Sequence, residues 1–528
     1  MRRGIFMKIV TLTPTIAPLT SIGGLGDILE DLPKFLKNLG NEVYVVTYDH
    51  QNKISKRPHE IIKKIEVKYQ GSKLFFDVVK AVHPSSNFEI FAFSNPEINQ
   101  LDSWDPIKYE IFADLVVSFL SDIENIECVS GHDWPCGLAI AKCHEKLNLP
   151  TTLTIHNEAF KGPIIEYKGH IFSFLEHGIY FSDAVNTVSP NHAEEIRNLD
   201  FLKKLCKDKP FHGIINGIDT DVYSPESIIE RMKNLSNGKL DPKDYCYIEN
   251  YDISNAAVVK PKIKESWFCK CENLKKYIND WNEMDKSNIS GSDIEIHGNI
   301  KGKLKTPMIG FVGRATYQKG FDLIFETMPE VLEENNANFV LVSKGEKSIE
   351  EKIKDFAESY PDKIMALVGH CPPIIPIIYA GCDWTVVPSL WEPCGLTQME
   401  SMSYGTPVIA RNTGGLSDTV ISLHPDPHKN PNFDIATGVL FNDYDKYGFK
   451  WGIEHGLYWS FYNLEEACLF INYKHVHCPE SPYEENSPLY MLIKNCYRHV
   501  QKNLSWQNND SSERYRALFG GAMYKHYF

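Results

Sequence analysis

Short apolar runs, each followed by a glycine or polar turn and then a segment with helical periodicity, recur along most of the chain. Lys8–Leu12 (KIVTL) predicts a first buried strand, followed by the loop Ala17–Asp27, an amphipathic helix through Leu39, a Gly40 cap and a second strand at Glu42–Thr47. Strand signals return at Ser130–His132, Thr151–Asn157 and the run from Asp183, and Gly213–Asp219 closes this first series. Between Gln51 and Glu124 the pattern reads as short strands alternating with polar loops. A second series opens with a strand at Met308–Val312 and a helix from Phe321. Further strands are predicted at Asn338–Val342, Ile364–Val368, Cys382–Pro388 and Thr437–Phe441, and a last helix from Ser511. Strands alternating with helices predict parallel α/β sheets, and 528 residues exceed what one core holds. Two or three domains are therefore expected, two of them α/β.

Glycine turns where strands end supply the candidate chemistry. The richest stretch is Val387–Thr419, where a strand leads into the Glu392-Pro-Cys394-Gly395-Leu396-Thr397 turn and a helix carrying Glu400. A second short strand follows, then a Gly-Gly turn at Gly414 and Gly415. Strand, turn and helix in this order aim main-chain N–H groups at a phosphate. Glu392 and Glu400, eight positions apart, suit the hydroxyls of a sugar. On the loop after Met308–Val312, Arg314 and Lys319 are five apart and read as two arms on one diphosphate, or as two solvated surface cations. The first loop, Ser21-Ile-Gly23-Gly24-Leu, lets a ligand approach the backbone closely. It is not G-x-G-x-x-G, so a dinucleotide dehydrogenase is a poor reading. His156 ends a predicted strand, where ligands collect in open α/β sheets.

Composition narrows the partners. A net charge of −14 argues against nucleic acid, and no apolar run approaches the length of a membrane span. The thirteen cysteines lack paired zinc spacing and read as reduced thiols in a cytosol-like compartment. Asp219-Thr-Asp221 mimics a metal-binding D-x-D, and we identify no metal ligand set. Residues 223–305 are rich in Lys, Asn, Asp, Ser and Glu, and read as a partly helical linker plus an insertion. Its tip, about Glu283–Leu304, is expected to be the most mobile part of the chain.

Several motifs together resemble one family. E-P-C-G-L-T-Q followed by T-G-G-L-S-D-T-V is similar to the donor signature of bacterial glycogen synthases and plant starch synthases. So are Gly131-His132-Asp133-Trp134, T-I-H-N at Thr154–Asn157, T-V-S-P at Thr187–Pro190, Asn216-Gly-Ile-Asp and Arg314-x-x-x-Gln318-Lys319-Gly320. The resemblance covers nearly the whole chain apart from Gln51–Glu124 and the insertion. It implies the GT-B fold, two doubly wound Rossmann-like α/β domains facing a central cleft, and a retaining glucosyltransferase. The implied organisation is an N-terminal domain over 1–222, a linker and insertion over 223–305, a donor-binding domain over 306–500, and a segment over 501–528 returning to the first domain.

The resemblance also implies roles. Asp133, His156, Arg314, Lys319 and Glu392 are the catalytic candidates. Ser21, Gly23, Gly24, Asn216, His370, Cys394, Gly395, Leu396, Thr397 and Glu400 are donor-binding candidates, with His370 placed to stack on a base. Two positions depart from the pattern. Ser21 stands where the family has lysine, and Thr15 where it has glutamate. The reading is transfer of glucose from a nucleotide glucose, ADP-glucose first, to the non-reducing end of an α-1,4-glucan, without a metal or cofactor. The alternatives are a catalytically weak homologue that binds glucan and regulates its synthesis, or a GT-B transferase with another donor or acceptor. The expected location is the cytoplasm, or a plastid if a transit peptide was removed.

Overall fold

The structure is a computed structural model and describes residues 6–20, 24–245, 251–269, 272–285, 294–301, 303–370, 372–426, 432–462, 481–485 and 487–527. It divides into two compact units, Met1–Gly217 with Asn509–Phe528, and Ile218–Asn508.

The first unit is built on a nine-stranded sheet. Its strands are β1 (Lys8–Leu12), β2 (Glu42–Tyr48), β3 (Glu60–Tyr69), β4 (Ser72–Val82), β5 (Glu89–Ser94), β6 (Cys128–His132), β7 (Thr151–Ile155), β10 (Ala184–Thr187) and β11 (Phe211–Gly213). A separate hairpin is formed by β8 (Ile164–Tyr167) and β9 (His170–Ser173). The sheet runs β11-β10-β7-β6-β1-β2-β5-β4-β3, parallel from β11 to β5 and antiparallel across β4 and β3. Strand order turns outward in both directions from β1, so the crevice between β1 and β6 is a switch point, where open α/β sheets bind ligands beyond the strands' carboxyl ends. Parallel strands are buried on both faces, which is why β1, β6 and β7 read as nearly continuous runs. The Gln51–Glu124 stretch differs from its expectation. It holds two long antiparallel strands of 10 and 11 residues and a 15-residue helix, Pro106–Leu120, capped by Asp105. The C-terminal helix Ser511–Tyr527 belongs to this unit.

The second unit has a seven-stranded sheet of β12 (Glu295–Gly298), β13 (Met308–Ala315), β14 (Asn338–Gly345), β15 (Ile364–Val368), β16 (Trp384–Val387), β17 (Val408–Arg411) and β18 (Gly438–Phe441). Its order is β12-β15-β14-β13-β16-β17-β18, parallel throughout except for β12. Without β12 this is the dinucleotide-fold order, with its switch point between β13 and β16. Alternate residues of the central strands enter different cores. Met308, Val340, Val342, Met365 and Leu367 pack on one face, and Ile309, Phe311, Phe339, Leu341 and Ile364 on the other.

That alternation gives the stretch 223–305, read as a partly helical linker plus an insertion, a packing role on the second sheet. On the first face pack helices Ile228–Leu235, Ala256–Lys264 and Glu272–Asp285 and the π-helical turn Glu265–Cys269, which bury Met232, Val259, Ile263, Trp267, Phe268, Leu274, Tyr277, Ile278 and Trp281. They share that face with helices Ile375–Gly381 and Pro488–His499, which add Ile377, Ile378, Leu489 and Ile493 to the same core. Leu274, Tyr277, Ile278 and Trp281 recur at helical spacing, a stripe that polar composition concealed. Of the tip expected to be mobile, residues 286–293 and 302 lie outside the described residues. Within the rest, Glu295–Gly298 is strand β12, hydrogen-bonded to β15.

Candidate active site

In the second unit two loops meet at the switch point. β13 runs three residues further than its sequence signal, so Arg314 lies in the strand, near its carboxyl end and exposed, rather than on the loop beyond. Lys319 ends a one-turn 3-10 helix, Tyr317–Lys319. Its Nζ lies 2.5 Å from Glu392 Oε2, and Ser389 Oγ donates to the same oxygen at 3.0 Å. Main-chain bonds hold the two loops together, with Leu390 N donating to Gln318 O at 2.8 Å, and Gln318 Nε2 donates to Trp391 O. Gly320 turns the chain from Lys319 into helix Phe321–Glu334 at φ +82°, where a Cβ would lie 2.2 Å from Pro388 O. Only glycine permits that approach.

The Glu392–Thr397 turn is stapled from behind. Gly415 N donates to Glu392 O at 2.9 Å, and a Cβ on Gly415 would sit 2.3 Å from Cys394 O. Gln398 Nε2 donates to Cys394 O at 2.9 Å, Gly395 O at 3.0 Å and Thr419 Oγ1 at 3.1 Å. Gly395 is left-handed at φ +79°. Leu396 precedes the short helix Thr397–Ser403. The Gly-Gly pair expected as a turn opens another short helix, Gly414–Thr419.

The two glutamates occupy different surroundings. Glu392 is tied to Lys319 and Ser389. Glu400 lies where burial pushes its carboxyl up, against the pull of the Arg231 charge and the Tyr379 hydroxyl. Arg231 stacks on the Tyr223 ring at 3.7 Å and donates from Nη1 to Tyr404 Oη at 3.1 Å. Sequence reading missed Arg231, since it sits in the stretch taken for a linker. His370 follows β15 at the sheet's carboxyl edge and is exposed.

The first unit gathers a second cluster at its own carboxyl edge. Asp133 follows β6 in a left-handed conformation, φ +65°, rare for a non-glycine residue and typical of strained functional positions. Its Oδ1 accepts main-chain N–H bonds from His156 and Asn157, each 3.2 Å. Burial nonetheless pushes the carboxyl up to about 7. His132 Nδ1 and His156 Nε2 share a proton across 2.9 Å. Burial holds His156 down at about 3 and His132 well below its usual value, so both rings are neutral at physiological pH. Glu158 and His192, also missed, form a 3.1 Å pair beside this group. The signal for Glu158 was its place two residues after His156, on the loop leaving β7.

Asn216 is 3 % exposed, and its Oδ1 has no hydrogen-bond partner among the described residues, an acceptor that a ligand hydroxyl would satisfy. Gly24 begins the helix Gly24–Asn38 and is exposed. Ser21 and Gly23 lie outside the described residues. Thr15 is buried, with its hydroxyl turned inward to Thr20 O.

Two switch-point sheets of this kind are the architecture of the GT-B glycosyltransferases. The catalytic domain of starch synthase IV from Arabidopsis thaliana, bound to ADP and acarbose, superposes with a TM-score of 0.73 over 98% of this chain and 100% of that one, at 21% identity. Sucrose-phosphate synthase from Thermosynechococcus elongatus gives 0.56 at 15% identity, over 97% of this chain and 99% of that one. Residues 8–208 match the starch synthase catalytic domain, and residues 293–455 match glycosyl transferases group 1. The chain is 57% identical over 521 residues, 99% of both lengths, to a "Probable glycogen synthase" of Methanocaldococcus jannaschii. It is 29% identical over 500 residues to the glycogen synthase of Hydrogenovibrio crunogenus, covering 86% of this chain and 92% of the relative. The chain belongs to the glycogen and starch synthase family and is a glycosyltransferase. Among the described residues, no helix is long and apolar enough to cross a membrane.

Proposed function

We propose that the enzyme transfers glucose from ADP-glucose to the non-reducing end of an α-1,4-glucan, with retention of configuration and with no metal in the reaction. The observation that supports this reading best is the Lys319–Glu392 pair, formed where the β13 and β16 loops meet, with Arg314 on the adjoining strand. In the proposed reaction the anomeric C–O bond to the diphosphate breaks and its electron pair leaves with the phosphate. Arg314 and Lys319, preset before the reaction, stabilise that departing charge. The main-chain groups of Cys394, Gly395, Leu396 and Thr397 line the same turn. The freed phosphate oxygen takes the proton of the incoming glucan hydroxyl, whose oxygen bonds to the anomeric carbon.

Glu392 is assigned to the donor sugar, and Glu400, backed by Arg231, to hydroxyls of the nucleotide. His370 is assigned to the base. In the first unit Asp133, His156 and Asn216 are assigned to sugar hydroxyls, and Ser21, Gly23 and Gly24 to the donor. Neutral imidazoles suit hydrogen bonding to hydroxyls without adding charge. ADP in the starch synthase IV structure supports the adenine nucleotide, and the glycogen synthase relatives support the glucan acceptor. The setting proposed is the cytoplasm. The relative at 57% identity comes from an archaeon and gives the plastid alternative no support.

The decisive experiment is glucose incorporation into glycogen, with ADP-glucose and UDP-glucose in competition, for the wild type and Arg314→Ala. The reading requires preference for ADP-glucose and loss of incorporation in the variant. Preference for another nucleotide sugar would replace the donor. Incorporation unaffected by Arg314→Ala would remove the proposed diphosphate site.

A further inference from the structure

The first unit holds a group of ligand-type side chains at the edge of its sheet away from Asp133 and His156. His144 lies in the last turn of helix Trp134–Leu147, Asp183 immediately precedes β10, and His526 is in the last turn of the C-terminal helix. One nitrogen or oxygen from each lies within 4.8 Å of the others. β7 spans on the order of 13 Å from its amino to its carboxyl end, and Asp183 binds Thr151 at the amino end whereas His156 follows the carboxyl end.

The contacts around this group define its geometry. His526 Nε2 faces Asn148 O at 3.1 Å and must carry a proton to bond to it. Its Nδ1 points at both oxygens of Asp183, at 3.2 and 3.3 Å. His144 Nδ1 is a buried atom and lies 3.5 Å from Asp183 Oδ2. Two nitrogens thus converge on one carboxylate, with the His526 and Asp183 side chains 4% and 7% exposed. A divalent ion among the three atoms would accept a lone pair from each imidazole and from the carboxylate, in place of a proton bridging ring and carboxylate. The edge of a tetrahedron with metal–ligand bonds of about 2.0–2.1 Å is about 3.3 Å, close to the 3.2 and 3.5 Å found here.

The supporting bonds have the form that orients metal ligands. His526 gives its remote N–H to a main-chain carbonyl, and Asp183 Oδ2 is held by Thr151 N at 2.8 Å and Thr151 Oγ1 at 3.3 Å. The neighbouring ammonium of Lys209 is occupied by Ile179 O, Tyr180 O and Ser182 O at 2.5–2.6 Å. Lys525 reaches Asp208 O at 3.4 Å. His144 is 27% exposed, which leaves one side open for a water ligand.

We propose that His144, Asp183 and His526 form a structural site for one divalent ion of the zinc class, joining the C-terminal helix to the amino-terminal edge of the first sheet. Two imidazoles and a carboxylate match zinc among the common divalent ions, while calcium and magnesium prefer oxygen. The site is separate from the transfer reaction, which is proposed to need no metal. Its role is to tie a segment more than 300 residues later in sequence to the strands it packs on.

The test is equilibrium dialysis of the chelator-stripped full chain against Zn2+, followed by metal analysis, with Co2+ as a spectroscopic stand-in. The expected result is one Zn2+ per chain, a tetrahedral Co2+ absorption band, and a higher thermal midpoint with Zn2+ than with chelator. His144→Gln and His526→Gln should each weaken binding at least tenfold, and His59→Gln, an exposed histidine elsewhere, should not. Absence of stoichiometric Zn2+ binding by the folded wild type would overturn the proposal, leaving an imidazolium–carboxylate pair. Undiminished binding in both site variants would do so equally, as binding elsewhere. Should either variant fail to fold, the wild-type Co2+ spectrum and thermal shift still decide.

Discussion

Lys319 Nζ sits 2.5 Å from Glu392 Oε2, which ties the loop after β13 to the loop after β16 at the point where strand order reverses. Glu392 is 9% and Lys319 17% exposed, so this pair is largely removed from solvent screening. Truncating Lys319 leaves a buried carboxylate held by the Ser389 hydroxyl. Lys319→Ala is expected to lower stability by about 1–3 kcal/mol and kcat/KM by about 100-fold or more. Arg314 is exposed and makes no ion pair among the described residues. Arg314→Ala should therefore match the wild type in urea unfolding within about 0.5 kcal/mol while losing comparable activity. Equal stability losses in the two variants would contradict this assignment.

Gly320 combines φ +82° with a 2.2 Å approach of its would-be Cβ to Pro388 O. Gly320→Ala must move backbone rather than a flexible side-chain tip. The expected cost is about 1–3 kcal/mol in denaturant unfolding, with weaker ADP binding by calorimetry because Lys319 is the preceding residue. Wild-type ADP affinity in this variant would show that the loop does not position the cation.

Asp133 titrates at about 7 in the fold because burial outweighs its two main-chain hydrogen bonds. A raised carboxyl pKa means that its stability contribution is fully present below about 4 and is lost as pH rises through about 7. Ionising the buried group costs at most about 4 kcal/mol at three pH units. Asp133→Asn keeps an oxygen for the same N–H groups and removes the charge. Its thermal midpoint should gain on the wild type progressively between pH 5 and 8, and show no such gain near pH 4. A constant difference across that range would place the titration elsewhere.

His132 and His156 work in the opposite sense. Both are held neutral by burial, His156 down to about 3. The unfolded chain takes up protons below about 6.5 and the folded chain does not, so stability is present above 6.5 and is lost as pH falls towards 3. His156→Gln should flatten the acid limb of a pH–stability profile measured by urea midpoints. An unchanged limb would mean that other groups govern acid unfolding.

Much of this was written locally. Glycine turns, strand-end polar residues and buried apolar runs located β1, β15 and the starts of helices Phe321–Glu334 and Ser511–Tyr527 at the residues expected. Ladder pairing extended β13 to Ala315 and so moved Arg314 from loop to strand, because a strand's length is set by its neighbours. Long antiparallel strands and a capped helix replaced the short strands and polar loops expected over Gln51–Glu124, since each strand's partner lies outside any local window.

The sequence by itself determined which turns carry the phosphate-seeking and sugar-seeking groups, because turn geometry, glycine freedom and charge are properties of a few adjacent residues. Only the tertiary structure decided that the polar stretch 223–305 covers one face of the second sheet, that Arg231 backs Glu400, and that His526 meets Asp183 across 343 positions. Burial and pairing are set by residues distant along the chain, and no local pattern records which of them will meet.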